Sequence, residues 1–422
     1  MTKMSKTNEM LIVAGMDIGN GYVKGKIGMY GKQATPVDIP AGVSVTTQYD
    51  NHDVKAAGVA DEVGAIFDRM DVKFDTPIIK ESRRCYFGQR AINFGKNMAE
   101  FDISGHETKA HQELSPMLIL GCIAGKALQE YYEAYKTLPT DILNVTAVAA
   151  MALPITEYKD YRREYEDKFK NTEHFVSIYN FEQPEVVRVR IRFAQCVVFA
   201  EGAAAQYAIA PLGEKFMERM LFDTRAMGIP LEGITAADIL SAQNTVGIDI
   251  GEGTVNFPVF TNGKFNPDAS RSFNKGYGSV LSEALDHMNG KYPFDSRKTL
   301  ADYLTTTPSN IKRAMYNNVS RIVDDAIEPF VNDITAEFSK ILRVTGAYTE
   351  VIYIYGGGAA PVRDALYPKL VEVSKKFSGG GDDAAYPIIY MDSRFSRLLN
   401  REGLGIIAEK TAESIFGAVA VG

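Results

Sequence analysis

The chain has 422 residues, 45% hydrophobic and 23% charged, with 46 Lys and Arg against 53 Asp and Glu for a net charge of −7. That composition supplies apolar material for two or three cored domains and excludes a largely disordered chain. The acidic balance speaks against a polyanion-coating protein, and Cys85, Cys122 and Cys196, widely spaced and without a CxxC pair, against a disulfide framework or a cysteine zinc site.

The segment Met1 to Met10 is polar, so no signal peptide is expected. Leu11-Ile-Val-Ala then reads as a strand, Gly15-Met-Asp-Ile-Gly-Asn-Gly21 as a glycine-rich hairpin turn, and Tyr22 to Ile27 as the returning strand. Between Asp141 and Glu157 lie fifteen uncharged residues, short of the ~20 needed to span a membrane, which predict a buried strand and turn. A helix follows, in which Tyr158, Tyr161, Tyr165 and Phe169 recur at three- and four-residue steps and Glu164/Lys168 and Glu166/Lys170 form i,i+4 pairs. Such a stripe predicts a packing face.

Phe199-Ala-Glu-Gly-Ala-Ala-Ala-Gln206 places Glu201 just before an Ala-rich helix, where a carboxylate complements the helix dipole. Leu212 to Asn244 is longer than a simple connection, with a helical piece from Glu214 to Arg225 and a cap at Thr235-Ala-Ala-Asp238. The hairpin then recurs as Gly247-Ile-Asp-Ile-Gly-Glu-Gly253, matching five of seven positions and starting 232 residues after Gly15. A strand-like segment from Thr254 to Phe260 follows it. The chain therefore reads as two similarly built halves.

A glycine-rich turn lets backbone N–H groups converge on a phosphate. An Asp closing the preceding strand, Asp17 or Asp249, aims a carboxylate into the same space, which calls for a cation, usually Mg²⁺ held through water. Lys275-Gly-Tyr-Gly278 precedes an amphipathic helix. From Val319 to Leu342 apolar residues keep a helical period interrupted by Pro329, which predicts a helix start or kink there. Val351-Ile-Tyr-Ile-Tyr-Gly-Gly-Gly358 reads as a strand and a bare glycine turn, with Pro361 in the first turn of a helix to about Val373. Its N-terminus suits a nucleotide. Gly379 to Gly381 predict a mobile surface loop, and the apolar Ser414 to Gly422 a docked tail. The five histidines show no HxxxH spacing.

Two DxGxG hairpins followed by strand, GGG and helix resemble the actin-like ATPase superfamily, in order and over most of the chain. The resemblance implies an α/β, actin-like (ribonuclease H-like, duplicated) two-domain fold with nucleotide in the interdomain cleft. Residues 11–210 plus 398–422 would form the first domain, with a small inserted subdomain at about 36–110. Residues 245–397 would form the second, with an inserted helical subdomain at about 280–345, and 211–244 a connecting insertion. Asp17 and Asp249 would organise Mg²⁺ through water. Gly19, Asn20, Gly21, Lys24, Gly251, Glu252, Gly253 and Thr254 would line the phosphates of ATP or GTP. Gly356, Gly357 and Gly358 would meet the adenosine, and Lys275, Gly276 and Gly278 the ribose and base. Glu201 would orient the attacking water, with Phe199–Gln206 and Asn400-Arg-Glu-Gly403 as the two connecting motifs.

Ala152-Leu-Pro-Ile-Thr-Glu-Tyr158 and Tyr86-Phe-Gly-Gln-Arg-Ala91 resemble segments of the plasmid-segregating bacterial actins of the ParM type. That likeness implies a cytoplasmic ATPase forming nucleotide-dependent filaments that segregate plasmid DNA through a DNA-binding adaptor, with DNA held indirectly and no membrane contact. An insertion such as 211–244 would alter filament contacts, so the filament geometry does not carry over from the resemblance. The alternative is a small-molecule, sugar-type kinase, for which no separate Asp motif is visible. A chaperone-like ATPase ranks behind both, because no β-rich substrate-binding domain is seen.

Overall fold

The computed structural model describes residues 9–46, 58–94, 98–102, 107–226, 231, 233–379 and 385–417. Gly380 to Asp383, the tail from Ala418 and parts of the 36–110 and 211–244 regions therefore lie outside the described residues. Contacts divide the chain into two units, one holding 1–153, 157–200 and 400–422, the other 154–156 and 201–399. Each unit has its own apolar core.

In the first unit the strand Glu9–Ile18 is buried from Ile12 onward, as expected of a central strand covered on both faces. Tyr22–Met29 returns antiparallel to it, and Thr35–Pro40 pairs with Tyr22–Met29 on the outside. On its other side Leu143–Leu153 runs parallel, and Val187–Ala200 runs parallel to that. The uncharged stretch after Asp141 thus forms a buried strand, and Pro154 precedes the helix Ile155–Lys170. The apolar helix Leu114–Tyr135 covers this sheet. Short strands His174–Ile178, Asp71–Asp75, Arg84–Tyr86, Gly42–Val45 and Met98–Glu100 extend it to ten among the described residues.

The second unit repeats the order. Thr245–Ile250 is central, Val255–Phe257 and Val259–Thr261 return antiparallel along it, and Arg271–Phe273 pairs outside. Val351–Tyr355 and then Ile388–Tyr390 run parallel on the other side. Pro258, which has no N–H to give, splits the returning strand without shifting its register: Asp249 faces Asn256 and Thr245 faces Phe260. Asp17 likewise faces Lys24, so both hairpins keep one register at the 232-residue offset.

Three local expectations are refined. The helix Arg313–Thr345 runs through Pro329, which neither starts nor ends a helix. The carbonyl deprived of its donor belongs to Asp325, and both residues are exposed, where water is at hand to satisfy it. Lys168 pairs with Glu164 at 3.2 Å, but Lys170 turns to Asp167 at 3.3 Å instead of Glu166. In the aromatic stripe Tyr165 and Phe169 are buried and Tyr158 and Tyr161 half-buried, a packing face. The three thiols are free and buried, and burial pushes that of Cys122 up to about 12.

Helix Leu399–Phe416 lies on the first hairpin, with Lys26 Nζ 3.1 Å from Glu402 Oε2. Gly15 admits it: a Cβ there would stand 2.3 Å from the Gly405 nitrogen. Gly15→Ala is therefore expected to cost about 1–3 kcal/mol, the usual range for overpacking, read as a lower urea midpoint at unchanged slope.

Candidate functional site: two acidic hairpins and a glycine turn

In the first hairpin Asp17 stands next to last in its strand and is 7% exposed. The Gly19 N–H donates to the Tyr22 carbonyl at 3.0 Å, and a Cβ on Gly19 would stand 2.8 Å from that oxygen. The turn therefore requires glycine. Lys24, directly opposite Asp17, brings its Nζ to 4.0 Å from the carboxylate. Gly19, Asn20 and Gly21 are half-buried at the tip.

The second hairpin repeats this. Asp249 is 6% exposed and next to last in its strand, and the Gly251 N–H donates to the Thr254 carbonyl at 2.9 Å. Gly251, Gly253 and Thr254 are half-buried and Glu252 is exposed. The helix Tyr277–Met288 is fastened to this turn: the Tyr277 N–H donates to the Gly251 carbonyl at 2.9 Å and the Gly278 N–H to that of Glu252 at 2.8 Å. A Cβ on Gly276 would lie 2.3 Å from the Glu252 carbonyl oxygen. Gly276 and Gly278 thus buttress the turn, and the two N–H groups serve it. Lys275 is turned to Asp333 of the long helix, Nζ to Oδ2 3.0 Å, and Glu252 is 3.5 Å from Arg297. Burial, with Asp324 adding to it, pushes the Tyr277 hydroxyl up to about 12.

The Gly356–Gly358 turn closes on the same hairpin. The Gly358 N–H donates to the Ile250 carbonyl at 2.8 Å, and Gly356, at φ +99°, would put a Cβ 2.5 Å from Asp249 Oδ1. Gly357 is the open one of the three, its nearest neighbour being Arg397 Cβ at 3.9 Å.

Glu201 follows the strand Val187–Ala200 and precedes the helix Ala203–Ala226, whose first turn holds no acid. Gly202, at φ +77°, sits on Asp249 and Pro258 and accepts from the buried Tyr355 hydroxyl at 2.7 Å. Burial, then the Asp249 charge, raises that hydroxyl well above its ordinary range. Asn256 Nδ2 donates to Glu201 Oε2 at 3.2 Å and to Thr254 Oγ1 at 3.2 Å. Asn256 Oδ1 accepts from Ser272 Oγ at 2.7 Å, and Ser272 Oγ accepts from the Ile155 N–H at 3.0 Å.

The second unit therefore gathers Glu201, Asp249, Gly251, Glu252, Thr254, Gly276, Gly278, Gly356 and Gly358 around one hairpin, while Asp17, Gly19, Asn20, Gly21 and Lys24 form a group in the first. Lys275 is held by Asp333. Asn256 escapes sequence reasoning, although the repeat points to it: it stands 232 residues after Lys24, beyond the seven matched positions. Among the described residues no three His, Cys, Asp or Glu side chains cluster to hold a metal. The hard carboxylate that each hairpin carries is of the kind that suits Mg²⁺, which takes one or two beside phosphates and water.

Residues 247–367 match the family described as archaeal actin homologue MreB-like, C-terminal. No curated protein matches the chain significantly. Among solved structures, the actin-like protein Alp7A is similar with a TM-score of 0.63 at 16% identity, over 97% of this chain and 98% of that one. Bacillus thuringiensis ParM with ADP gives 0.58 at 15%, over 95% and 99%. The archaeal actin homologue Ta0583 gives 0.59 at 13%, also over 95% and 99%.

Proposed function

From an actin-like fold built twice around an acidic glycine hairpin, we propose that this chain is an ATP hydrolase whose nucleotide state drives its assembly into filaments. The observation that carries the reading is the duplicated hairpin: the same register, the same turn hydrogen bond and a buried Asp near each strand end. Asp17 and Asp249 would hold Mg²⁺ through water, and that ion would neutralise charge on the phosphate oxygens. Gly19, Asn20, Gly21, Lys24, Gly251, Glu252, Gly253 and Thr254 face the phosphates of ATP or GTP. Gly356, Gly357 and Gly358 take the adenosine, while Gly276 and Gly278 support the second turn and Lys275 is paired with Asp333. Glu201 orients the attacking water.

The ParM-type likeness extends the proposal to plasmid segregation in the cytoplasm through a DNA-binding adaptor, with DNA held indirectly as the acidic charge suggests. Among the described residues no helix is long and apolar enough to cross a membrane. Purified protein is expected to scatter light and pellet on adding Mg-ATP and to release phosphate. A monomer that stays in the supernatant with ATP and with a non-hydrolysable analogue overturns the filament reading.

A further inference from the structure

Asn256 faces Asp249 on one side and Ser272 on the other, in a single antiparallel register. Cross-strand partners share a face, so these three side chains project together. Asn256 is 2% exposed, and its side chain hydrogen-bonds Glu201, Thr254 and Ser272. A serine hydroxyl has one hydrogen. The Glu201 carboxylate only accepts, so the amide turns its NH₂ to it; Oδ1 then faces Ser272 Oγ, which gives it that hydrogen while accepting the Ile155 N–H. The amide NH₂ thus points at Glu201 and Thr254. An amide that neither ionises nor flips holds one oxygen of a carboxylate that lies 9% exposed at a strand end.

We propose that Asn256, held by Ser272, is the positioning residue that fixes Glu201 for its task, a role that rests on the hydrolase reading above. It touches neither nucleotide nor water; it sets which way the carboxylate presents its other oxygen. Because it acts through Glu201, its removal reaches turnover far more than nucleotide affinity, on which only its bond to Thr254 bears.

The test is steady-state phosphate release from Mg-ATP, with affinity measured separately by a fluorescent ATP analogue. Asn256→Ala is expected to lower kcat about 10- to 100-fold, the scale of a misplaced reacting group, with KM and affinity within about twofold. In a Glu201→Ala background the same change should alter kcat less than about twofold, since effects of residues acting as a unit do not add. Ser272→Ala leaves Asn256 in place but frees its amide, and should lower kcat about 3- to 10-fold with affinity kept. Where Asn256→Ala does not fold, Ser272→Ala decides. Wild-type kcat in the variant that folds, or a full loss added on top of Glu201→Ala, overturns the role of Asn256 alone. Wild-type protein that binds the analogue yet releases no phosphate overturns the hydrolase reading and this role with it.

Discussion

Glu201→Gln should slow phosphate release by about 10²- to 10³-fold while nucleotide affinity stays within about threefold, the scale expected when a proton-accepting or water-orienting carboxylate is lost. Gln keeps the size of the side chain and an oxygen that accepts from Asn256, so packing at the 9% exposed site survives. What it removes is the negative charge that orders and polarises a water. The competing role, a carboxylate serving the helix Ala203–Ala226 through its dipole, is worth about 0.3–1 kcal/mol of stability and nothing in turnover. Single-turnover phosphate release and urea unfolding on the same variant separate the two. Unchanged release with a lowered midpoint would return Glu201 to the helix.

How much of this was legible beforehand depends on how local the chemistry is. A hairpin turn is decided by the glycines within it, so Asp17 to Gly21 and Asp249 to Gly253 announced strand, turn and strand. Pro361 marked a first helical turn within Ala359–Phe377, and Thr235 with Asp238 form the expected capping box. Tertiary pairing is different. Gly42–Val45, Arg84–Tyr86 and Met98–Glu100 are three or four residues long, too short for alternation to show, and they exist because partners far along the chain lie beside them. The helix Ala203–Ala226 breaks at Gly213, φ +78°, just before the helical piece expected from Glu214 to Arg225. Gly276 and Gly278 read as ligand-facing glycines, yet each makes room for the Glu252 carbonyl. A glycine records that something comes close; the sequence does not say whether that is a phosphate or another strand. Asn256 was hidden for the same reason, since its value lies in Glu201 and Ser272, 55 and 16 residues away.

That ambiguity is resolved within the triple glycine, where three identical residues carry different expectations. Gly356 sits at φ +99°, a conformation L side chains rarely adopt, and a Cβ there would stand 2.4 Å from the Ile250 oxygen and 2.5 Å from Asp249 Oδ1. Neither neighbour can yield cheaply, one being backbone of the central strand and the other a buried carboxylate. Gly356→Ala combines backbone strain and overpacking of about 1–3 kcal/mol each, so a loss of about 2–6 kcal/mol is expected. Relief can come only by moving Asp249, so affinity for a fluorescent ATP analogue should fall more than about tenfold in whatever protein remains folded. Gly357→Ala is the control, because its Cβ would meet nothing nearer than Arg397 Cβ at 3.9 Å. Its melting temperature should match wild type within about 2 °C, since surface changes stay within about 0.5 kcal/mol. Any affinity it loses then reports a ligand approaching that bare backbone. Wild-type binding in both variants would leave the turn as hairpin packing alone and take the nucleoside away from it.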